Sequence, residues 1–188
     1  TLRNDNPDVD FDGLNRMGDD GSGNGLTFDA GFDADMWLSM TCGGDVFATY
    51  ATYAELHTTG GGFGMFVGSG ASGADGVIVG KIGMELALDN SNTAGVGFGE
   101  GVGCGEGVTT GIEIAIPLYL FDWDGAAGDI TSAKICAFIN NGGHDYMSNQ
   151  LIGGIGGGGS LGDPRFVNLE NIAGNQHFSI GDVAGPCP

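Results

Sequence analysis

Hydrophobic and polar positions alternate along much of this chain. In residues 34–42, Met36, Leu38, Met40 and Cys42 fall on one face of an extended backbone and Asp35, Trp37, Ser39 and Thr41 on the other. A Gly43-Gly44 turn separates this segment from residues 45–56, which are rich in Val, Phe, Thr and Tyr and predict a second strand. Ile78, Ile82, Met84, Leu86 and Leu88 again take alternate positions, with Lys81 and Glu85 opposite them. Ile112, Ile114, Ile116, Leu118 and Leu120 repeat the period, with Glu113 on the outer side. Residues 134–140 are apolar on both faces and predict a central strand. Two short strands are expected at 165–169 and 176–180. No segment keeps an i, i+3, i+4, i+7 apolar stripe for three turns, so long helices are not expected.

Many short strands between frequent turn signals predict an all-β fold. The expected form is a jelly-roll-like antiparallel β-sandwich with long glycine-rich loops. Residues 1–25 are polar, acidic and glycine-rich, and read as an N-terminal arm; residues 26–188 read as a single sandwich domain. In residues 95–107 every second position is glycine. As a strand this run has one bare face that another backbone can approach closely. As a loop it is pinned only by Cys104, and glycine's large ordering entropy favours the loop.

Composition narrows the functional classes. The chain has 188 residues, 40 of them glycine, with 24 acids, five bases and a formal net charge of −19. The 41% hydrophobic share is too high for a disordered chain, and there is no collagen-like triplet period. Five bases cannot form the clustered positive surface that phosphate binding needs, so nucleic acid is not an expected partner. No apolar run approaches the ~20 residues of a membrane helix, so membrane insertion is not expected either. The start at Thr1, not Met, fits a mature protein whose signal peptide has been removed, and the expected location is extracellular or at the cell surface. Four cysteines fit two disulfides in an oxidising compartment. Of three connectivities, Cys42–Cys104 with Cys136–Cys187 is favoured, because the second bridge ties down the C-terminal tail.

The sharpest local motif is Asp8-Val9-Asp10-Phe11-Asp12-Gly13, followed by Asp19. Acids at relative positions 1, 3, 5 and 12 with glycine at 6 match the calcium-loop spacing of EF-hands and dockerins. In that scheme the Leu14 carbonyl is the seventh-position ligand. Asn15 at position 8 and Asp at 12 depart from the EF-hand pattern, and the competing reading is a solvated acidic arm. Ten of the 24 acids lie in the first 45 residues, and this density favours calcium as a cofactor.

Catalysis has little support: there are three histidines and no G-x-S-x-G elbow, and His144-Asp145 alone joins an acid to a base on a turn. The chain is therefore not expected to be an enzyme. Sugar binding needs an aromatic platform with polar groups beside it. Trp37 and Trp123 are the candidate platforms, and Asn141, His144, Asn149 and Gln150 the candidate partners. Trp37 beneath a covering loop, and the amides satisfying loop backbone, are the competing readings.

Gly111-Ile112-Glu113-Ile114-Ala115-Ile116-Pro117 and the run from Cys136 through Asn140-Asn141-Gly142-Gly143-His144-Asp145-Tyr146 to Gln150 carry a resemblance. Residues 32–180 resemble secreted bacterial proteins of planctomycete type, related to the DOMON and family-nine carbohydrate-binding β-sandwiches. The resemblance implies a sandwich that presents a ligand surface to sugars or haem. The paired tryptophans of the sugar-binding members and a haem-ligating Met–His pair are not evident here. Glycine excess, acid clustering and the lack of catalytic residues favour a structural subunit of an extracellular fibre, layer or matrix that self-associates or joins other surface proteins; the alternative is a non-catalytic module that binds a polysaccharide.

Overall fold

The structure, a computed structural model, describes residues 1–4, 9–19, 21–43, 48–71, 76–89, 111–121, 130–156 and 158–183. It is built mostly of strands in antiparallel sheets, with very little helix. The strands are β1 (Met36–Gly43), β2 (Ala48–Glu55), β3 (Gly64–Ala71), β4 (Gly76–Val79), β5 (Glu85–Asp89), β6 (Gly111–Ala115), β7 (Lys134–Ile135), β8 (Phe138–Asn140), β9 (Met147–Leu151) and β10 (Phe178–Ser179). They form sheets in the orders β1-β2-β3, β4-β5-β6, β8-β9 and β10-β7. Among the described residues there is one α-helix, α1 (Asp12–Met17), near the N-terminus. Among the described residues no helix is long and apolar enough to cross a membrane.

The chain divides into two compact units. Unit 1 holds Thr1–Ser39, Tyr53–Met65 and Thr131–Val183; unit 2 holds Met40–Thr52 and Phe66–Ile130. In unit 1, Leu2, Val9, Leu14, Met17, Leu26, Phe28, Leu56, Met147, Val167 and Leu169 belong to one buried cluster. Residues 1–25, read from the sequence as an arm, thus supply core side chains. Their apolar residues are few but well placed: Leu14 and Met17 lie on one side of α1, three apart, and both are buried. Asp12 in the first turn and Arg16 in the last match the helix dipole. Backbone bonds hold the start of the chain in place, with Leu2 N donating to Leu26 O (2.7 Å) and Asp19 N to Leu2 O (2.8 Å).

Arg3 fastens this segment further. Its Nη2 donates to the carbonyls of Ala34 and Leu56 at 2.6 Å each, and its guanidinium also pairs with Asp33 and Asp35. One of only five basic side chains therefore neutralises part of the acid-rich stretch that follows it.

Several expected strands are shorter or broken, each for a local reason. The alternating run at 78–88 is a hairpin, with Ile78 opposite Leu86 and Val79 opposite Glu85. Its turn uses Gly83 at φ +73, and a side chain at Gly80 would collide with Val67. The even period survives the turn, so the sequence reads as one strand. The run at 112–120 stops at Ala115, because Pro117 lacks an N–H donor and a 3-10 turn follows at Leu118–Phe121. The central strand expected at 134–140 is two short pieces, β7 and β8, with Ile135 and Ile139 exposed. The strand expected at 165–169 gives way to two 3-10 turns, Pro164–Phe166 and Leu169–Asn171. The side chains of Asp163 and Asn168 cap them, accepting from Arg165 N and Glu170 N.

Candidate functional site

The residues expected to hold calcium are engaged separately. Asp10 Oδ1 accepts a hydrogen bond from Asn15 Nδ2 at 2.7 Å. Asp12 is the first residue of α1. The Leu14 carbonyl accepts the Gly18 N–H at 2.7 Å, and the Leu14 side chain is fully buried. Asp19 Oδ1 accepts from Gly21 N (2.8 Å) and Gly23 N (3.0 Å), which bends its own turn. Asp8 lies outside the described residues. Among the described residues no three His, Cys, Asp or Glu side chains are grouped so as to hold a metal ion. A calcium loop needs its seventh-position carbonyl turned toward the cation; the one described here closes the helix.

Of the candidate sugar ligands, Trp37 and His144 lie against Gly13 of α1, and Asn141, His144, Asn149 and Gln150 belong to the β8–β9 hairpin. Trp37 is half-buried, stacks on Phe11 with ring centroids 6.0 Å apart, and packs against the core. Its Cζ2 and the His144 ring close over Gly13, where a Cβ would lie 3.0 Å from Trp37 and 3.3 Å from His144. The hairpin loop is folded on itself. Asn141 Oδ1 accepts from Asp145 N and Tyr146 N, while its Nδ2 donates to Asp145 Oδ1 at 2.8 Å. His144 sits at φ +56, with Nδ1 2.8 Å from Asn140 Nδ2. Asn149 Nδ2 donates to Gly158 O, and the backbone N–H of exposed Gln150 donates to Ser148 Oγ. The structure thus brings Trp37, Asn141 and His144 to one end of unit 1, where their groups serve the loop and the core. Trp123 lies outside the described residues.

Arg16, which no sequence motif singles out, is the charge that ties this end together. Its Nη2 lies 3.3 Å from Asp163 and 3.9 Å from Asp145. The Asn141 hydrogen bond, and then the Arg16 guanidinium and His144, hold the Asp145 carboxyl below its usual range against an opposing effect of desolvation. Only the scarcity of bases marks Arg16 in the sequence.

Cys42 and Cys136, each expected in a disulfide, are free thiols. Cys42 is exposed and accepts a weak contact from Thr49 Oγ1 at 3.8 Å. Cys136 is half-buried, and burial, followed by the negative charge of Asp29, pushes its thiol up to about 12. Their expected partners, Cys104 and Cys187, lie outside the described residues.

In unit 2 an exposed apolar surface lies on β6. In antiparallel register Leu86 stands opposite Ile114 and Leu88 opposite Ile112, so the four side chains share one sheet face. On β5 that face is buried, Leu86 at 1% and Leu88 at 9% exposure. On β6 it lies open: Ile112 is 57% and Ile114 40% exposed, and all five β6 residues are exposed. Just beyond the strand, Leu118 and Tyr119 are also exposed, with the Tyr119 hydroxyl donating to Ile82 O at 2.6 Å. The alternation placed the isoleucines correctly on the face opposite Glu113; what it could not give was that cover ends one strand short. No family model, curated protein or solved structure matches the chain.

Proposed function

We propose that this chain is a non-catalytic secreted structural protein, a jelly-roll-like β-sandwich subunit of an extracellular surface assembly that associates through unit 2. One observation carries the reading. The apolar face buried on β5 continues without a break onto the open side chains of Ile112 and Ile114. Apolar surface that runs on from a core into solvent marks an interaction site. Burying what remains open of these two side chains is worth on the order of 1 kcal/mol each. Calcium belongs to the proposal through charge: at −19, copies of the chain repel, and a divalent cation screens that repulsion.

The glycan-module reading has lost support at Trp37, whose ring is committed to the core. It remains an outcome of the test. Light scattering would follow mass against protein concentration, with calcium and then with excess chelator. Mass that rises with concentration, more steeply with calcium, is the expected result. A monomer at every concentration in both conditions overturns the structural reading, and retention on an insoluble polysaccharide would then favour the glycan module.

A further inference from the structure

We propose that β6 pairs with β6 of a second copy of this chain, antiparallel and centred on Glu113, so that two three-stranded sheets join across a two-fold axis. The inference rests on the self-association reading and names its partner and register. One edge of β6 is occupied by β5, and among the described residues no strand pairs with the other. An exposed edge of this kind is a template for another strand.

The choice of a second copy comes from the pattern on that edge. Gly111-Ile112-Glu113-Ile114-Ala115 reads small, Ile, Glu, Ile, small in both directions. Turned antiparallel on itself about Glu113, it sets Ile112 opposite the other copy's Ile114, Ile114 opposite the other copy's Ile112, and small residues opposite small ones. The isoleucines already continue the buried face of Leu86 and Leu88, so pairing extends one apolar face through both copies. A two-fold contact of this type is isologous and closes at a dimer, so any larger assembly needs a second, different contact.

The same register places the two Glu113 carboxylates opposite each other on the other face. Like charges in directly opposed positions are destabilising. The contact therefore carries its own repulsion, which added salt or a divalent cation relieves. Glu113→Gln removes it. Glu113→Lys turns it into attraction, but only when a strand carrying that substitution meets an unchanged one.

The experiment uses the full chain in three forms, wild type, Glu113→Gln and Glu113→Lys, with Ile114→Lys as the disrupting variant. Both substituted residues are exposed, and circular dichroism checks that each variant keeps the fold. Native mass spectrometry and light scattering read the dimer fraction. Glu113→Gln is expected to dimerise about two- to fivefold more tightly than wild type, and with less dependence on calcium. Ile114→Lys should be monomeric. An equimolar mixture of wild type and Glu113→Lys should give more heterodimer than the statistical half of all dimers. Wild-type association that Ile114→Lys leaves intact overturns the β6 contact and the role given to this apolar face, while self-association through another surface stands. A mixture at the statistical ratio overturns the register. Wild type that never associates overturns both.

Discussion

Replacing Leu14 by alanine asks whether the acidic N-terminal segment is an arm or part of the core. Leu14 is fully buried on α1 within the unit 1 cluster. The change removes three carbons from that cluster, and at about 0.8 kcal/mol per buried CH2 the lost transfer energy is about 2.4 kcal/mol. A residual cavity adds to this, and alanine's slightly better helix propensity returns only a few tenths. The net expectation is a loss of about 3 kcal/mol, within the usual range for Leu→Ala in a core. For a unit of about 100 residues unfolding on its own, that corresponds to a fall in Tm of roughly 12–24 °C. Differential scanning calorimetry is the assay, because separate transitions of the two units would be visible and only the one belonging to unit 1 should move. Leu14→Met, which nearly conserves volume, should cost under about 1.5 kcal/mol. A Leu14→Ala shift under about 1 °C would refute the reasoning, since that is what a solvated arm predicts.

Arg3→Ala should destabilise unit 1 by about 2–4 kcal/mol in denaturant unfolding, because charge-assisted bonds to Ala34 O and Leu56 O are lost together, with Arg3→Lys intermediate. Thiol titration at about pH 8 should label exposed Cys42 quickly, while Cys136, at about 12 against an ordinary 9.0, has roughly a thousandth of the usual thiolate and should label only on unfolding. Because the folded-state value is the raised one, the linked effect works against the fold as the solution turns alkaline: stability is whole below pH 9.0 and is lost as pH climbs toward about 12. For Asp145 the sign is opposite: its folded value lies below 3.8, so its contribution is present above that pH and is lost as pH falls through the folded value. Carboxyl NMR titration of Asn141→Ala should move the Asp145 midpoint upward; an unchanged midpoint would remove the Asn141 hydrogen bond as its main cause.

The all-β class, β1, β2 and the inward face of β5 were legible in the sequence, because period-two alternation depends only on the residues themselves. Leu86 and Leu88 are buried and Glu85 exposed, as their positions require. The strand β3 was hidden, since its glycines at 64, 68 and 70 carry no pattern. Those at 64 and 68 are there for close approach: a Cβ at Gly64 would meet Val9, and one at Gly68 would meet Ile78. The acid spacing at residues 8–19 was equally legible as a motif. What the spacing could not reveal is that Leu14 and Met17 are drawn into a core assembled from residues more than a hundred positions away, Met147, Val167 and Leu169 among them. Burial of those two side chains winds residues 12–17 into a helix and commits the Leu14 carbonyl to its end.

The same division holds at the sites. Residue type marked Trp37, Trp123, Asn141, His144, Asn149 and Gln150 as candidates with recognition chemistry, and of these Trp37 and His144 come together over Gly13. Only the tertiary structure decided that a core contact takes the ring and a tight loop takes the amide, because the choice between solvent and protein partners depends on what packs nearby. For β6 the sequence determined which face is apolar. The tertiary structure determined where the cover over that face ends, and so which isoleucines are left for another molecule to meet.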